Sequence, residues 1–166
     1  MEFQRMANGK LVKLSAKHID TGMGFERLVR VIQKKKSNYD TDLFKPIINE
    51  IEKLSEFKYG VDKKKDIAFR VISDHLRAIS FCIPDGKIPG NHGSSNVVRR
   101  ILRRAVRYGY QYLGIESPFL HELIEDVSDE FKGVFDEVYS QKELIKKVIM
   151  EKKYKKDPSI KHLLYS

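Results

Sequence analysis

The chain has 166 residues, with 32 Lys and Arg against 23 Asp and Glu, which leaves a formal charge of +9. That length accommodates about one domain with a sizeable core, and 41% hydrophobic with 33% charged residues is a globular composition rather than a disordered one. A single Cys excludes a disulfide framework and a Cys-rich zinc site; no apolar run reaches the roughly 18 residues of a membrane span, and MEFQRMANGK is no signal peptide. The expectation is a soluble, cytoplasmic protein whose basic charge makes nucleic acid the leading class of partner.

In chain order, residues 2–6 and 11–19 bracket Ala7-Asn8-Gly9-Lys10, and Asn-Gly between two such runs predicts a hairpin. The second run leads into Asp20-Thr21-Gly22-Met23-Gly24, where two Gly imply close backbone approach or unusual dihedrals. Residues 25–35 read as a helix with Leu28, Val31 and Ile32 on one face and three Lys at its end. From residue 41 the pattern is almost wholly helical. Thr41 or Asp42 is expected to cap a helix to Leu54, carrying Leu43, Ile47, Ile48 and Ile51 on one stripe. Lys63-Lys64-Lys65 reads as a connector and Asp66 as the cap of a helix to Phe81, ended by Pro84. A loop rich in Gly, Pro, Ser and Asn covers 84–96, followed by helices over about 96–113, 117–132 and 140–156. The expected fold class is mainly α: a helical domain over 41–156, preceded over 1–40 by a β piece and a helix, with 157–166 as a tail. A lone hairpin is barely stable in water, so the β piece reads as part of a larger sheet.

The helix over 96–113 carries the clearest chemical signal. At about 100° per residue, Arg99, Arg100, Arg103, Arg104 and Arg107 fall in a sector of roughly 140°, with Val97, Val98, Ile101, Leu102, Ala105 and Val106 opposite. Five Arg crowded on one face repel one another; phosphates relieve that repulsion, and Arg suits planar bidentate contacts to them. The plainer reading is a solvated face, or pairing with Glu122, Glu125 or Asp126. In the preceding loop Asn91 offers a donor and an acceptor beside the helix's positive end, while Ser95 or Asn96 serves as an ordinary cap. His75 reads as a satisfied core histidine, Cys82 as core, Asp74 and Arg77 as an i,i+3 pair, and Lys152 to Lys156 as a solvated charge run. No His spacing of a metal site occurs. Around Gly22 and Gly24 the missing Cβ atoms leave room for a flat ligand, with Arg27 available to a phosphate and Asp20 to a cation.

The stretch DTGMGFERL resembles motif 3 of the class II aminoacyl-tRNA synthetases in its alanyl-tRNA synthetase form, and the likeness continues through SNYDTDLFKPII, RVISDHLRAISFCIPDGKIPGN and VVRRILRRAVRYGY, over about residues 2–150. The resemblance implies a strand and helix from the end of a class II antiparallel catalytic sheet, then a helical tRNA-recognition domain. It implies ATP-dependent attachment of alanine to its tRNA through an alanyl-adenylate, with ATP and Mg2+ as the cofactors of the full enzyme and no zinc in this stretch. Residue by residue, Arg27 matches the arginine on the ATP phosphates, Gly22 and Gly24 line the adenylate pocket, and Asp20 holds the alanine amino group. Asn91 matches the loop asparagine that reads the G·U wobble pair of the acceptor stem, and Arg99, Arg100, Arg103 and Arg104 match the basic helix along that stem. The chain departs from the pattern where the usual Pro-Ser-Asn is Pro89-Gly90-Asn91 and the usual Gly-Tyr is Ser95-Asn96. Motifs 1 and 2, the Asp that works with the loop asparagine, and the editing domain have no counterpart in these residues. The expectation is therefore a fragment of the ligase, inactive by itself; the alternative is a stand-alone helical RNA-binding module without catalysis.

Overall fold

The computed structural model describes residues 2–19 and 22–154, with side chains to residue 151. Two compact units follow one another, the first ending at Asn38 and the second beginning at Tyr39. The expected Asp20 and the residues beyond 154 lie outside the described residues, as do the side chains of Lys152 and Lys153.

In the first unit, β1 (Phe3–Arg5) pairs antiparallel with β2 (Leu11–Lys13), placing Gln4 opposite Val12. The Asn8-Gly9 turn forms as expected: Gly9 has φ +80°, and the Asn8 side chain accepts from the Lys10 N–H at 3.0 Å. The strands are shorter than the bracketing runs; the last cross-strand bond runs from the Leu14 N–H to the Glu2 carbonyl at 3.0 Å. Helix α1 covers Phe25–Ile32 rather than reaching Lys35; Lys34 turns left-handed at φ +53° and ends it before the lysines. No described residue of this unit is buried, and large apolar side chains from Phe3 to Ile32 stay exposed, Ile19 at 95%.

The second unit holds the core. A single 3-10 turn (Asn38–Asp40) precedes α2 (Lys45–Ser55), which starts later than expected. Thr41 is not its cap: it is fully buried, its carbonyl receives the Phe44 and Lys45 N–H groups, and Pro46 in the first turn sets the helix start. Helix α3 (Lys63–Cys82) is capped by Asp62, not Asp66. The Asp62 carboxylate accepts from the Lys64 and Lys65 N–H groups at 2.8 and 3.0 Å, which places the three lysines inside the first turn. Asp66 is occupied elsewhere, accepting from the Gly60 N–H at 2.7 Å.

Helix α4 (Gly93–Leu113) packs chiefly on α3. The expected helix over 117–132 resolves into turns and the short α5 (Ile124–Glu130), and the last one into α6 (Asp136–Ser140) and α7 (Lys142–Tyr154). Ile51, Phe69, Ile72, Leu76, Leu102 and Phe119 lie at the centre of the core, each 1% exposed or less. Cys82 is only half-buried, and burial, with Asp85 nearby, pushes its thiol pKa up. Among the described residues no helix is long and apolar enough to cross a membrane.

The acids of α2 and α5 yield one stability prediction. Burial, then the Glu50 carboxylate, raises the Asp126 pKa, so its charged form is disfavoured in the folded chain. A carboxylate with a raised folded pKa costs stability above that pKa, and the cost disappears as pH falls through it. Asp126→Asn should therefore raise Tm at pH 7 by about 1–2 °C, solvent screening keeping the effect small. Thermal melts across pH should show this gain vanish on acidification through the carboxylate range.

Candidate nucleic-acid interface

Helix α4 is built to carry charge on one side because its other side is fixed by α3. Val98, Leu102, Ala105, Val106, Gly109 and Leu113 are buried. Their arc is narrower than the apolar arc in the sequence: Val97 is 54% exposed and Ile101 only half-buried. These two lie opposite the arginines in the sequence pattern but outside the buried arc. They flank the arginines, and with Arg100, Arg103, Arg104, Arg107, Tyr108 and His75 they line a cleft of 660 Å³. Four guanidinium groups, an aromatic ring (Arg104 lies over Tyr108 at 5.5 Å) and an apolar flank make a site for a polyanion with planar parts.

Two of the three acids that might have neutralised this face, Glu125 and Asp126, have other partners. Glu125 accepts from Lys142 at 2.8 Å and from Lys146, and those two lysines hold its carboxyl below the usual range. Asp126 faces Glu50 and Lys53. Both members of the expected i,i+3 pair, Asp74 and Arg77, make further contacts. Asp74 meets His75 Nδ1 at 3.3 Å, and the Arg77 guanidinium lies over the rings of Phe44 and Phe131 at 5.4 and 5.6 Å. His75 differs from the satisfied core histidine expected: it is half-buried and its buried Nε2 has no hydrogen-bond partner.

The loop before α4 is ordered by its own backbone. The Gly90 N–H donates to the Ser95 carbonyl at 3.0 Å, and Gly93 takes φ +53°. Neither Ser95 nor Asn96 caps the helix; His92 occupies the cap position and no side chain bonds there. A Cβ on Gly90 would stand 3.1 Å from the Ser95 Cβ, so the two positions share one tight space. Asn91 is exposed, and its Oδ1 accepts from Arg99 Nη1 at 2.6 Å. Sequence spacing did not signal this bond between residues eight apart, because the turn that closes the distance is set by backbone dihedrals. Arg99 thus turns to the loop while the other four arginines line the cleft.

In the first unit, Gly24 precedes α1 with φ −65°, and neither it nor Gly22 has the unusual dihedrals expected. A Cβ on Gly22 would meet nothing within 4 Å, whereas on Gly24 it would rest against the Arg27 stem at 3.4 Å. Arg27 is exposed in the first turn of the helix, beside Gly24. Among the described residues no cluster of three or more His, Cys, Asp or Glu side chains is placed to hold a metal ion.

Comparison with known proteins gives a consistent picture. Residues 1–157 match the family described as tRNA synthetases class II (A). The chain is 53% identical over 151 residues to the alanine–tRNA ligase of Cytophaga hutchinsonii and 51% identical over 151 residues to that of Bacteroides thetaiotaomicron. Each match covers 91% of this chain and 17% of the relative. The alanine–tRNA ligase of Flavobacterium psychrophilum is 46% identical over 160 residues, 18% of its length. The chain therefore spans about a sixth of the curated relatives it matches.

Proposed function

Because the chain belongs to the tRNA synthetases class II (A) family, we propose that it is part of an alanine–tRNA ligase, acting in the cytoplasm, and that its second unit grips the acceptor stem of tRNA-Ala. The observation that carries this reading is the cleft on α4, where Arg100, Arg103, Arg104 and Arg107 converge beside exposed Val97 and half-buried Ile101 and Tyr108. Duplex RNA is recognised mostly by shape and backbone contacts, which is what four guanidinium groups along a helix supply. Asn91 stands at the helix's N-terminal end as the reader of the G·U pair.

The first unit contributes the motif 3 segment. Arg27 takes the ATP phosphates, and Gly22 and Gly24 let the adenylate lie close to the backbone; the open space at Gly22 supports this, since nothing inside the chain requires a glycine there. Asp20 holds the alanine amino group. ATP with magnesium belongs to the reaction of the whole enzyme, in which alanine is activated before transfer.

Fluorescence anisotropy with a tRNA-Ala acceptor-stem hairpin tests the reading, with a G·C hairpin and heparin as comparators. Binding should weaken steeply with salt, at about 0.7–0.9 in log–log slope per phosphate engaged. It should favour the G·U hairpin. The isolated chain should give no alanine-dependent ATP–pyrophosphate exchange. RNA binding no tighter than heparin binding would point instead to a face for acidic proteins.

A further inference from the structure

We infer that Arg99 is a positioning residue: it fixes the polarity of the Asn91 side-chain amide, so that this side chain turns its N–H donors, and not its carbonyl, to the RNA. The inference rests on Asn91 being the base-reading residue, and it adds what sets the direction of that reading. A free asparagine amide is symmetric in shape and flips between showing its carbonyl and showing its NH2. Exposed as it is, Asn91 would sample both and read neither kind of base edge well.

Arg99 removes the ambiguity. A guanidinium carries five N–H donors and no acceptor, so the amide can face it only through oxygen. The Arg99 Nη1 to Asn91 Oδ1 distance of 2.6 Å is that of a charge-assisted bond. With the carbonyl held back toward α4, the two amide protons point away from the guanidinium. In a minor groove such donors match the pyrimidine O2 and purine N3 acceptors. The backbone supports the arrangement: the Gly90 to Ser95 bond and the Asn96 N–H on the His92 carbonyl, at 3.0 and 3.3 Å, hold the loop to the first turn of the helix. Arg99 does not line the cleft that takes the other four arginines, so its role is separable from the phosphate grip.

A double-mutant cycle on base selectivity tests this in the 166-residue chain. Arg99→Ala, Arg99→Lys, Asn91→Ala and the Arg99→Ala/Asn91→Ala pair are titrated with G·U and G·C hairpins, circular dichroism confirming helix content. Arg99→Ala should lower the G·U preference on the order of 5-fold, the value of one lost hydrogen bond, and should cause no further loss of preference once Asn91 is gone. Arg99→Lys, which keeps a donor on a flexible stem, should restore part of it. A preference unchanged by Arg99→Ala, or losses that add in the double variant, would overturn the inference. A parent chain that binds both hairpins equally would sink base reading by Asn91, and the polarity lock would then be decided without RNA. The two Asn91 side-chain amide proton resonances, identified by their loss in Asn91→Asp, should shift and approach exposed-amide values in Arg99→Ala; resonances that stay in place overturn it.

Discussion

Replacing Arg100, Arg104 and Arg107 together by Gln is expected to weaken acceptor-stem binding on the order of 100-fold at moderate salt. The log–log salt dependence should become shallower by about 2–3 units, one increment per lost phosphate contact. These three side chains line the cleft and project from the helix side opposite the buried residues, so they leave the core untouched. Arg100 and Arg104, four apart on one row, repel each other in the free protein, and so the triple variant should melt at the same temperature or slightly higher. That combination, less binding with no loss of stability, distinguishes a ligand face from a structural one. Arginines that held helices together would lower Tm when removed. Anisotropy titrations at several salt concentrations and thermal melts on the same samples give both readouts.

The largest effect on folding is expected at Gly109. It lies on the buried side of α4 beside Phe119, and a Cβ built there would stand 2.5 and 2.6 Å from two carbons of that ring. In an open helix Gly→Ala gains about 1 kcal/mol. Here the ring must move, and Phe119 is 1% exposed in a packed core, so it has nowhere to go. Gly109→Ala should therefore cost about 2 kcal/mol net, overpacking outweighing helix propensity. Phe119→Leu in the same chain should recover part of the loss by shortening the side chain that occupies the space. Urea unfolding of the single and double variants reads this directly, and a stabilised Gly109→Ala chain would contradict the packing account.

What could be read from the sequence follows the range of the forces involved. The arginine face was legible because helical periodicity acts over a few residues and α4 obeys it. The core stripe of α2 was legible for the same reason, with Ile47, Ile48 and Ile51 all buried. Errors arose where two residues competed for one role. Asp62 and Asp66 are both good caps, and the choice was made by the Gly60 N–H, which takes Asp66 from the far side of a turn. Val97 and Ile101 satisfied the apolar pattern, yet α3 covers only part of the arc, a width that periodicity cannot supply. The bond from Arg99 to Asn91 depends on Gly93 at φ +53° and on the whole loop closing, so no local signal announced it. Arg27, Gly22 and Gly24 were singled out by resemblance; spacing near the two glycines offered only room for a ligand.

The narrow space shared by Gly90 and Ser95 constrains how this loop can change over generations. The resemblance places serine and glycine at these two positions in the usual pattern, and here the order is reversed. With Cβ atoms on both residues only 3.1 Å apart, a loop bearing two serines is crowded. A lineage moving from one arrangement to the other passes more easily through two glycines than through two serines. On this packing argument the two departures are coupled, the loss of a Cβ at Gly90 making room for the one at Ser95.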